Sequence, residues 1–167
     1  MITRISITYG TKQVLSKLQT RYPDRQLLML DSSTSGEQLA LLDVSGEESV
    51  FSSPIHYDIK LHRGTTDWQG FINFIYIDNL SPDDQKTFNS KANHFVTTDP
   101  MPDGMRSIYF MKDEKNRSNN ILLSTWENSD NFSIWKRSSS FKPFNYFLSG
   151  QNNYHEASYH FYTPEEK

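Results

Sequence analysis

The sequence predicts an α+β fold in which two ferredoxin-like halves of one chain pack together and close a barrel-like core. Residues 65–167 show the order strand, helix, strand, strand, helix, strand, which is typical of the ferredoxin-like plan. Residues 1–64 show a strand, a helix and then several strands, a degenerate version of that plan. Only 35% of the 167 residues are hydrophobic, so the 14% that are aromatic must supply much of the buried area. Packing the two halves together buries more apolar surface than either half can bury alone.

The first half is divided into elements by its turn and breaker residues. Thr11 follows the first β-branched run and can cap a short helix, which Pro23 cannot continue. Two β-prone runs separated by a polar turn at 32–36 predict a hairpin. The predicted elements are a strand through Ile2, Ile5 and Ile7, a helix through Val14, Leu15 and Leu18, and strands at 26–30, 38–44, 49–51 and 55–61.

The second half begins after a short hinge at 63–67 and carries stronger signals. Ser81, Pro82 and two acids form a helix start, because serine caps free N–H groups and acids suit the positive helix end. Asn128 marks another helix start in the same way. The predicted elements are strands at 71–77, 106–111, 121–123 and 154–162, helices carrying Phe88, Ala92 and Phe95 and then Phe132 and Trp135, a helical segment near 138–144, and loops at 112–120 and 149–153.

Composition argues against several classes of protein. The net charge of −3 argues against a wide basic surface, so we expect no nucleic-acid partner. The absence of cysteine excludes disulfides, iron–sulfur clusters and thiolate ligands. The glycines are scattered rather than grouped in a phosphate loop, and no histidine pair has the spacing of a helical zinc site. No run approaches the roughly 18 to 20 apolar residues that span a bilayer, and residues 1–4 lack a signal-peptide core. We expect a soluble, cytoplasmic protein.

Two residues are candidates for a site, Asn73 and Trp126. Asn73 interrupts the apolar run 71–75, and a buried amide must be hydrogen-bonded or it destabilises the fold. If the Asn73 side chain faces solvent, no special role is needed to explain it. If it faces a cavity, the amide would orient a ligand. Trp126 lies where a predicted strand meets a predicted helix, a place for a core residue or for a cavity wall.

The spacing of these residues resembles that of a known family. An asparagine on the opening strand is followed by a Thr-x-Trp-like strand end at Thr125-Trp126 and by a helix carrying Phe132 and Trp135. This pattern resembles the antibiotic-biosynthesis-monooxygenase (ABM) superfamily, and within it the haem-degrading monooxygenases and the TRAP (target of RNAIII-activating protein) branch. Other matching positions are Phe141, Lys142, Tyr9-Gly10-Thr11, Ser53, Pro54, Tyr57, Gly64, Ser149-Gly150-Gln151 and Pro164.

The resemblance implies a ferredoxin-like α+β barrel in which two halves of one chain form an internal pseudo-dimer. In haem-degrading members an asparagine contacts the distal ligand of the iron, and Asn73 matches it. A tryptophan presses on the porphyrin, and Trp126 matches it. The position of the axial histidine holds Asn145, and a carboxamide is a weak donor to haem iron. Tyr146 and His155 are the nearest other donors by sequence, so the metal ligand is left unknown.

The resemblance gives two main functional hypotheses. The first is a haem-degrading monooxygenase, an oxidoreductase in which haem is substrate and cofactor and an external reductant supports ring opening and iron release. The alternative is a non-catalytic TRAP-like barrel that acts as a stress-related or small-ligand binding module. A cofactor-independent monooxygenase acting on an aromatic substrate is a third hypothesis. Both a monomer with an internal pseudo-dimer and a homodimer fit the sequence.

Overall fold

A closed barrel of antiparallel strands forms the centre of the molecule. The computed structural model describes residues 2–32, 39–148 and 153–162. Within them the strands are β1 (Arg4–Gly10), β2 (Leu27–Ser32), β3 (Leu39–Asp43), β4 (Ile55–Gly64), β5 (Phe71–Asp78), β6 (Met105–Asp113), β7 (Asn120–Trp126) and β8 (Asn153–Phe161). They follow the closed order β1-β3-β2-β8-β5-β7-β6-β4, with antiparallel neighbours throughout. The helices are α1 (Lys12–Arg21), α2 (Pro82–Thr97), α3 (Ser129–Lys136) and a 3₁₀ helix (Lys142–Leu148).

The two halves of the chain repeat one strand order. The first four strands form the arc β4-β1-β3-β2, and the last four form the arc β8-β5-β7-β6. Numbered within its own half, each arc has the order 4-1-3-2, and the arcs join where β2 pairs with β8 and β4 pairs with β6. The predicted α+β barrel of two ferredoxin-like halves is confirmed. The boundary between residues 64 and 65 stays a prediction.

The helices begin at the residues that the sequence predicts. The side chains of Thr11, Ser81 and Asn128 accept hydrogen bonds from the backbone N–H groups three positions later. Two acids stand in the first turn of α2 and one stands in that of α3, where they favour the positive helix end. These contacts satisfy free N–H groups at the start of each helix.

Two hydrophobic clusters lie on opposite faces of β5. Its residues alternate between them, with Ile72, Phe74 and Tyr76 on one side and Phe71, Ile75 and Ile77 on the other. The barrel-interior cluster consists of Ile5, Ile7, Leu30, Ala40, Leu42, Val44, Tyr57, Ile72, Phe74, Tyr76, Tyr109, Met111, Ile121, Leu123 and Tyr159. The helix-facing cluster consists of Phe71, Ile75, Ile77, Phe88, Ala92, Phe95, Val96, Met105, Ile108, Phe110, Leu122, Trp126, Phe132, Trp135, Phe141, Phe144 and Phe147.

The first half departs from the prediction after β3. The strand predicted at 49–51 is wrong, because these residues lie in the connection from β3 to β4 and form no strand. Phe51 is instead buried against Leu15 and Met29 under α1. Its apolar character reflects this burial, and an irregular connection stands where the second half has α3 and the 3₁₀ helix. The turn predicted at 32–36 and the loop at 149–153 lie almost wholly outside the described residues.

Candidate functional site

Asn73 and Trp126 lie on neighbouring strands and face the same side of the barrel wall. β5 pairs with β7 so that Asn73 lies opposite Ser124. Phe71, two positions earlier, lies opposite Trp126. Because side chains alternate along a strand, these four all project toward the helices. The structure therefore makes two predicted site residues diagonal neighbours on one face.

The Asn73 amide is fully buried, at 0% exposure. Its Nδ2 donates a hydrogen bond of 2.7 Å to Ser158 Oγ on β8. Its Oδ1 has no hydrogen-bond partner among the described residues. A buried acceptor without a donor costs about 1–3 kcal/mol. The side chain is shielded from solvent, and it carries an unused acceptor on the helix-facing side of the wall.

Trp126 is fully buried at the end of β7, also at 0% exposure. Its Nε1 donates to Ser124 Oγ at 2.7 Å. Its ring centroid lies 5.8 Å from that of Phe132 and 5.3 Å from that of Trp135. Gly70 packs closely against the backbone carbonyl of Trp126. A Cβ atom at Gly70 would lie 2.1 Å from that oxygen, so only glycine fits there. Rings and backbone fill the space around the indole, as in a packed core.

Trp135 separates the buried pair from an outer cavity. It is 2% exposed, it contacts the ring of Trp126, and it lines a cavity of about 520 Å³ between α3 and the segment before β6. Met101 and Ile134 also line this cavity. The Nε1 of Trp135 has no hydrogen-bond partner among the described residues. The helix-facing cluster thus holds two unused polar atoms, the other being Asn73 Oδ1.

Asn145 lies away from the other two predicted site residues. It is exposed on the 3₁₀ helix, whereas Phe144 and Phe147 on the same helix are buried. A 3₁₀ helix has three residues per turn, so Phe144 and Phe147 share its inner face and Asn145 falls outside that face. The position that the resemblance assigns to the axial ligand therefore points away from the cluster that holds Asn73 and Trp126.

The other candidate iron donors are also set apart. Tyr146 is 62% exposed. The ring of His155 stacks on Tyr76, a barrel-interior residue, at 4.4 Å, so it lies on the opposite side of the wall from Asn73. Donors on the helix-facing side include the buried thioether of Met105, opposite Trp126, and the exposed imidazole of His160. Among the described residues, no three His, Asp or Glu side chains gather as a metal site.

A second group of residues, which the sequence analysis did not identify, surrounds one end of the barrel. A cavity of about 500 Å³ lies there, and the stacked rings of His62, Tyr109 and Trp68 line it. Burial lowers the pKa of the His62 imidazole and raises the pKa of Tyr109 to about 12. Both rings are therefore uncharged at neutral pH. The three residues come from β4, β6 and a loop, so no local pattern joins them in the sequence.

Tyrosines occupy the other end of the barrel interior. The phenols of Tyr9, Tyr57, Tyr76 and Tyr159 lie near one another there. Burial raises the pKa of Tyr57 to about 12 and that of Tyr76 well above its usual range. This end of the barrel is therefore lined by neighbouring phenols that are uncharged at neutral pH.

The fold defines the structural class of the protein. Two 4-1-3-2 arcs closed into one barrel, with helices covering one face of the wall, form a ferredoxin-like α+β barrel. The fold that the resemblance implies is thus confirmed.

Solved structures of three bacterial proteins share this fold over nearly the whole chain. A staphylococcal protein described as a major regulator of pathogenesis has a TM-score of 0.78 and 18% identity, covering 96% of this chain and 99% of that chain. A monooxygenase-like protein from Listeria innocua has a TM-score of 0.76 and 22% identity, covering 98% and 96%. A haem-degrading enzyme from Listeria monocytogenes has a TM-score of 0.71 and 22% identity, covering 95% and 99%.

No protein-family model matches the sequence, and no curated protein matches it either. None of the helices in the described part of the chain is both long and apolar enough to cross a membrane.

Proposed function

We propose that this protein is a TRAP-like barrel that binds a small ligand and does not degrade haem. The observation that carries the proposal is the position of Asn145. It stands where the resemblance expects the axial ligand, yet it is an exposed carboxamide on the outer side of the 3₁₀ helix. Haem iron is held by imidazole, thiolate, thioether or phenolate groups in proteins, and a carboxamide does not replace them.

The packing around Asn73 and Trp126 supports the same proposal. Both side chains are fully buried, and rings from α3 and from the segment after it fill the helix side of the wall. A porphyrin could enter only if Trp135 and its neighbours moved away. As packed, these residues do not fit haem, and we derive no catalytic step through it.

The similar structures do not distinguish between the two candidate functions. The fold is shared by a protein described as a regulator and by one described as a haem-degrading enzyme, each at less than a quarter sequence identity. Because one fold hosts unrelated functions, the choice depends on the residues of the site. Here those residues argue against haem degradation.

Haem degradation is the second candidate function, and the observation that favours it is Asn73 Oδ1. This buried acceptor has no partner in the described part of the chain and shares a face with Trp126. Asn73 is the residue that would meet a distal ligand, and Met105, which lies opposite Trp126, would offer a thioether on that face. If α3 opens, both groups become accessible together.

A haemin titration followed by reductant in air separates the two candidates. We expect no sharp Soret band at a few micromolar haemin and no release of iron. A sharp Soret band that bleaches under reductant, with iron release, would overturn the proposal. A Met105→Leu variant then serves as the matched control, because it removes the thioether while keeping an apolar side chain of similar size.

A further inference from the structure

The open end of the barrel has the construction of a ligand site. The cavity of about 500 Å³ falls within the volume range of small-molecule pockets. Its walls come from the segments that precede β1 and β2, the segments that follow β3 and β4, and strand β6. Ile2, Gln26, Ser45, Thr66 and Tyr109 represent these segments. Because all of them meet at the same end, the cavity belongs to the fold and not to one loop.

An aromatic stack forms one wall of this cavity. The ring of Tyr109 lies 4.2 Å from that of His62 at an interplanar angle of 21° and 5.2 Å from that of Trp68 at 14°. Tyr109 is 2% exposed and fixes the stack in the barrel interior, whereas Trp68 is half-buried in the β4–β5 connection. Because Tyr109 stacks on both other rings, Trp68 lies at one end of the stack and offers its partly exposed ring to the cavity. A flat aromatic group can pack on such a surface by offset stacking.

The polar groups of the cavity are uncharged. The lining side chains include Thr3, Gln26, Ser45 and Thr66, which donate and accept hydrogen bonds, and no Asp, Glu, Lys or Arg stands among the lining residues that the structure describes. A charged ligand would lose water here without gaining an opposite charge, which is unfavourable. Hydroxyl and carbonyl substituents on a flat ring system would find partners.

We propose that this end of the barrel binds an uncharged, planar aromatic compound bearing hydroxyl or carbonyl groups, stacked against the partly exposed ring of Trp68, which Tyr109 holds in place from the barrel interior. The inference rests on the proposed small-ligand function and assigns it a place and a ligand class. The site lies at the end of the barrel, on the opposite side of the wall from Asn73 and Trp126. Ligand binding there needs no movement of α3.

Calorimetric titration with three probes on one carbon skeleton tests the ligand class. Naphthol is planar and uncharged, naphthoate is planar and anionic, and decalol is uncharged but saturated. We expect naphthol to bind most tightly, and its addition to shift the backbone amide resonances of Gly46 and Thr66, which line the cavity. Equal affinity for all three probes, or resonance shifts confined to α3, would overturn the inference.

Substitution of Trp68 tests the site with a matched control. Trp68→Leu should weaken naphthol binding by about tenfold, since it removes a stacking ring, and Trp68→Phe should restore much of the affinity. His155→Leu removes a ring stacked on a barrel tyrosine at the opposite end and should leave the affinity unchanged. Equal affinity of Trp68→Leu and wild type would reject the site. The haemin titration tests the proposed function separately. A failure of naphthol binding would overturn the ligand class and the site, and it would leave the result with haem unchanged.

Discussion

The helix-facing cluster and the barrel-interior cluster share β5 but are built from different rings. The buried aromatic residues of the first are phenylalanine and tryptophan, and α2, α3 and the 3₁₀ helix close over them. The second contains four tyrosines, and one end of the barrel keeps a cavity of about 500 Å³. Apolar rings fill a face that helices cover, whereas phenols suit a barrel whose ends reach polar groups and water. The site expected from the resemblance lies in the filled region, and the open site lies in the other.

Trp126→Ala should give the largest loss of stability, about 3–5 kcal/mol, because the filled cluster cannot collapse around the missing indole. Trp68→Ala, in the open region, should cost about 1 kcal/mol, since its ring is half-buried next to an existing cavity. Urea unfolding of both variants measures the difference. Equal losses would show that the two regions are packed alike.

High pH should destabilise the protein through the barrel interior. The pKa of Tyr57 and of Tyr109 is raised by burial to about 12 from an ordinary value of 10. The unfolded state therefore releases protons first, so the stability present below pH 10 is lost as the pH rises from about 10 to about 12. We expect about 1–2 kcal/mol from each tyrosine after allowance for solvent near the cavity.

Urea unfolding across this pH range, with tyrosinate absorbance recorded in parallel, measures the effect. Tyr109→Phe keeps the ring and removes one phenol, so its stability should fall less steeply with pH. A flat profile for the wild type would contradict the burial of the phenols. The helix-facing cluster has no ionisable group in its buried aromatic rings and should not contribute.

The sequence predicted the covered region better than the open one. Helix caps and strand alternation are local, so Ser81, Asn128 and the shared face of Phe132 and Trp135 could be predicted from spacing. The register of β5 with β7 places Asn73 and Trp126 on one wall face, while the roles that the resemblance implies for them stay a prediction. The strand predicted at 49–51 failed because a buried apolar run in an irregular connection has the same composition as a short strand.

The position of Asn145 and the open cavity needed three-dimensional information. Phe141, Phe144 and Phe147 are spaced by three, a signal for a 3₁₀ turn that places Asn145 outside, but the family pattern suggested an inward position. The cavity is assembled from separate strands and a loop. Its rings meet only through the register of β4 with β6, which pairs His62 with Tyr109.

Asn73→Leu tests whether the unused acceptor in the filled region has a structural role. The Oδ1 atom has no partner among the residues that the structure describes, and Ser158, which accepts the bond from Nδ2, has further interactions. Replacing the amide with an apolar group of similar shape should change stability by no more than about 1 kcal/mol, or should stabilise the fold. Chemical unfolding measures this. A loss above about 2 kcal/mol would show that the amide is needed for the packing itself.

Asn145→His should have the smallest effect, because the residue is exposed on the outer face of the 3₁₀ helix. We expect a change in unfolding free energy within about 0.5 kcal/mol. The introduced imidazole should not create a Soret band with haemin, since it points away from the face that holds Asn73 and Trp126. Appearance of a Soret band would mean that the 3₁₀ helix turns inward when haem binds. The helix-facing region would then be a closed form of the site that the resemblance implies. The difference between a filled helix-facing region and an open barrel interior would hold only for the ligand-free protein.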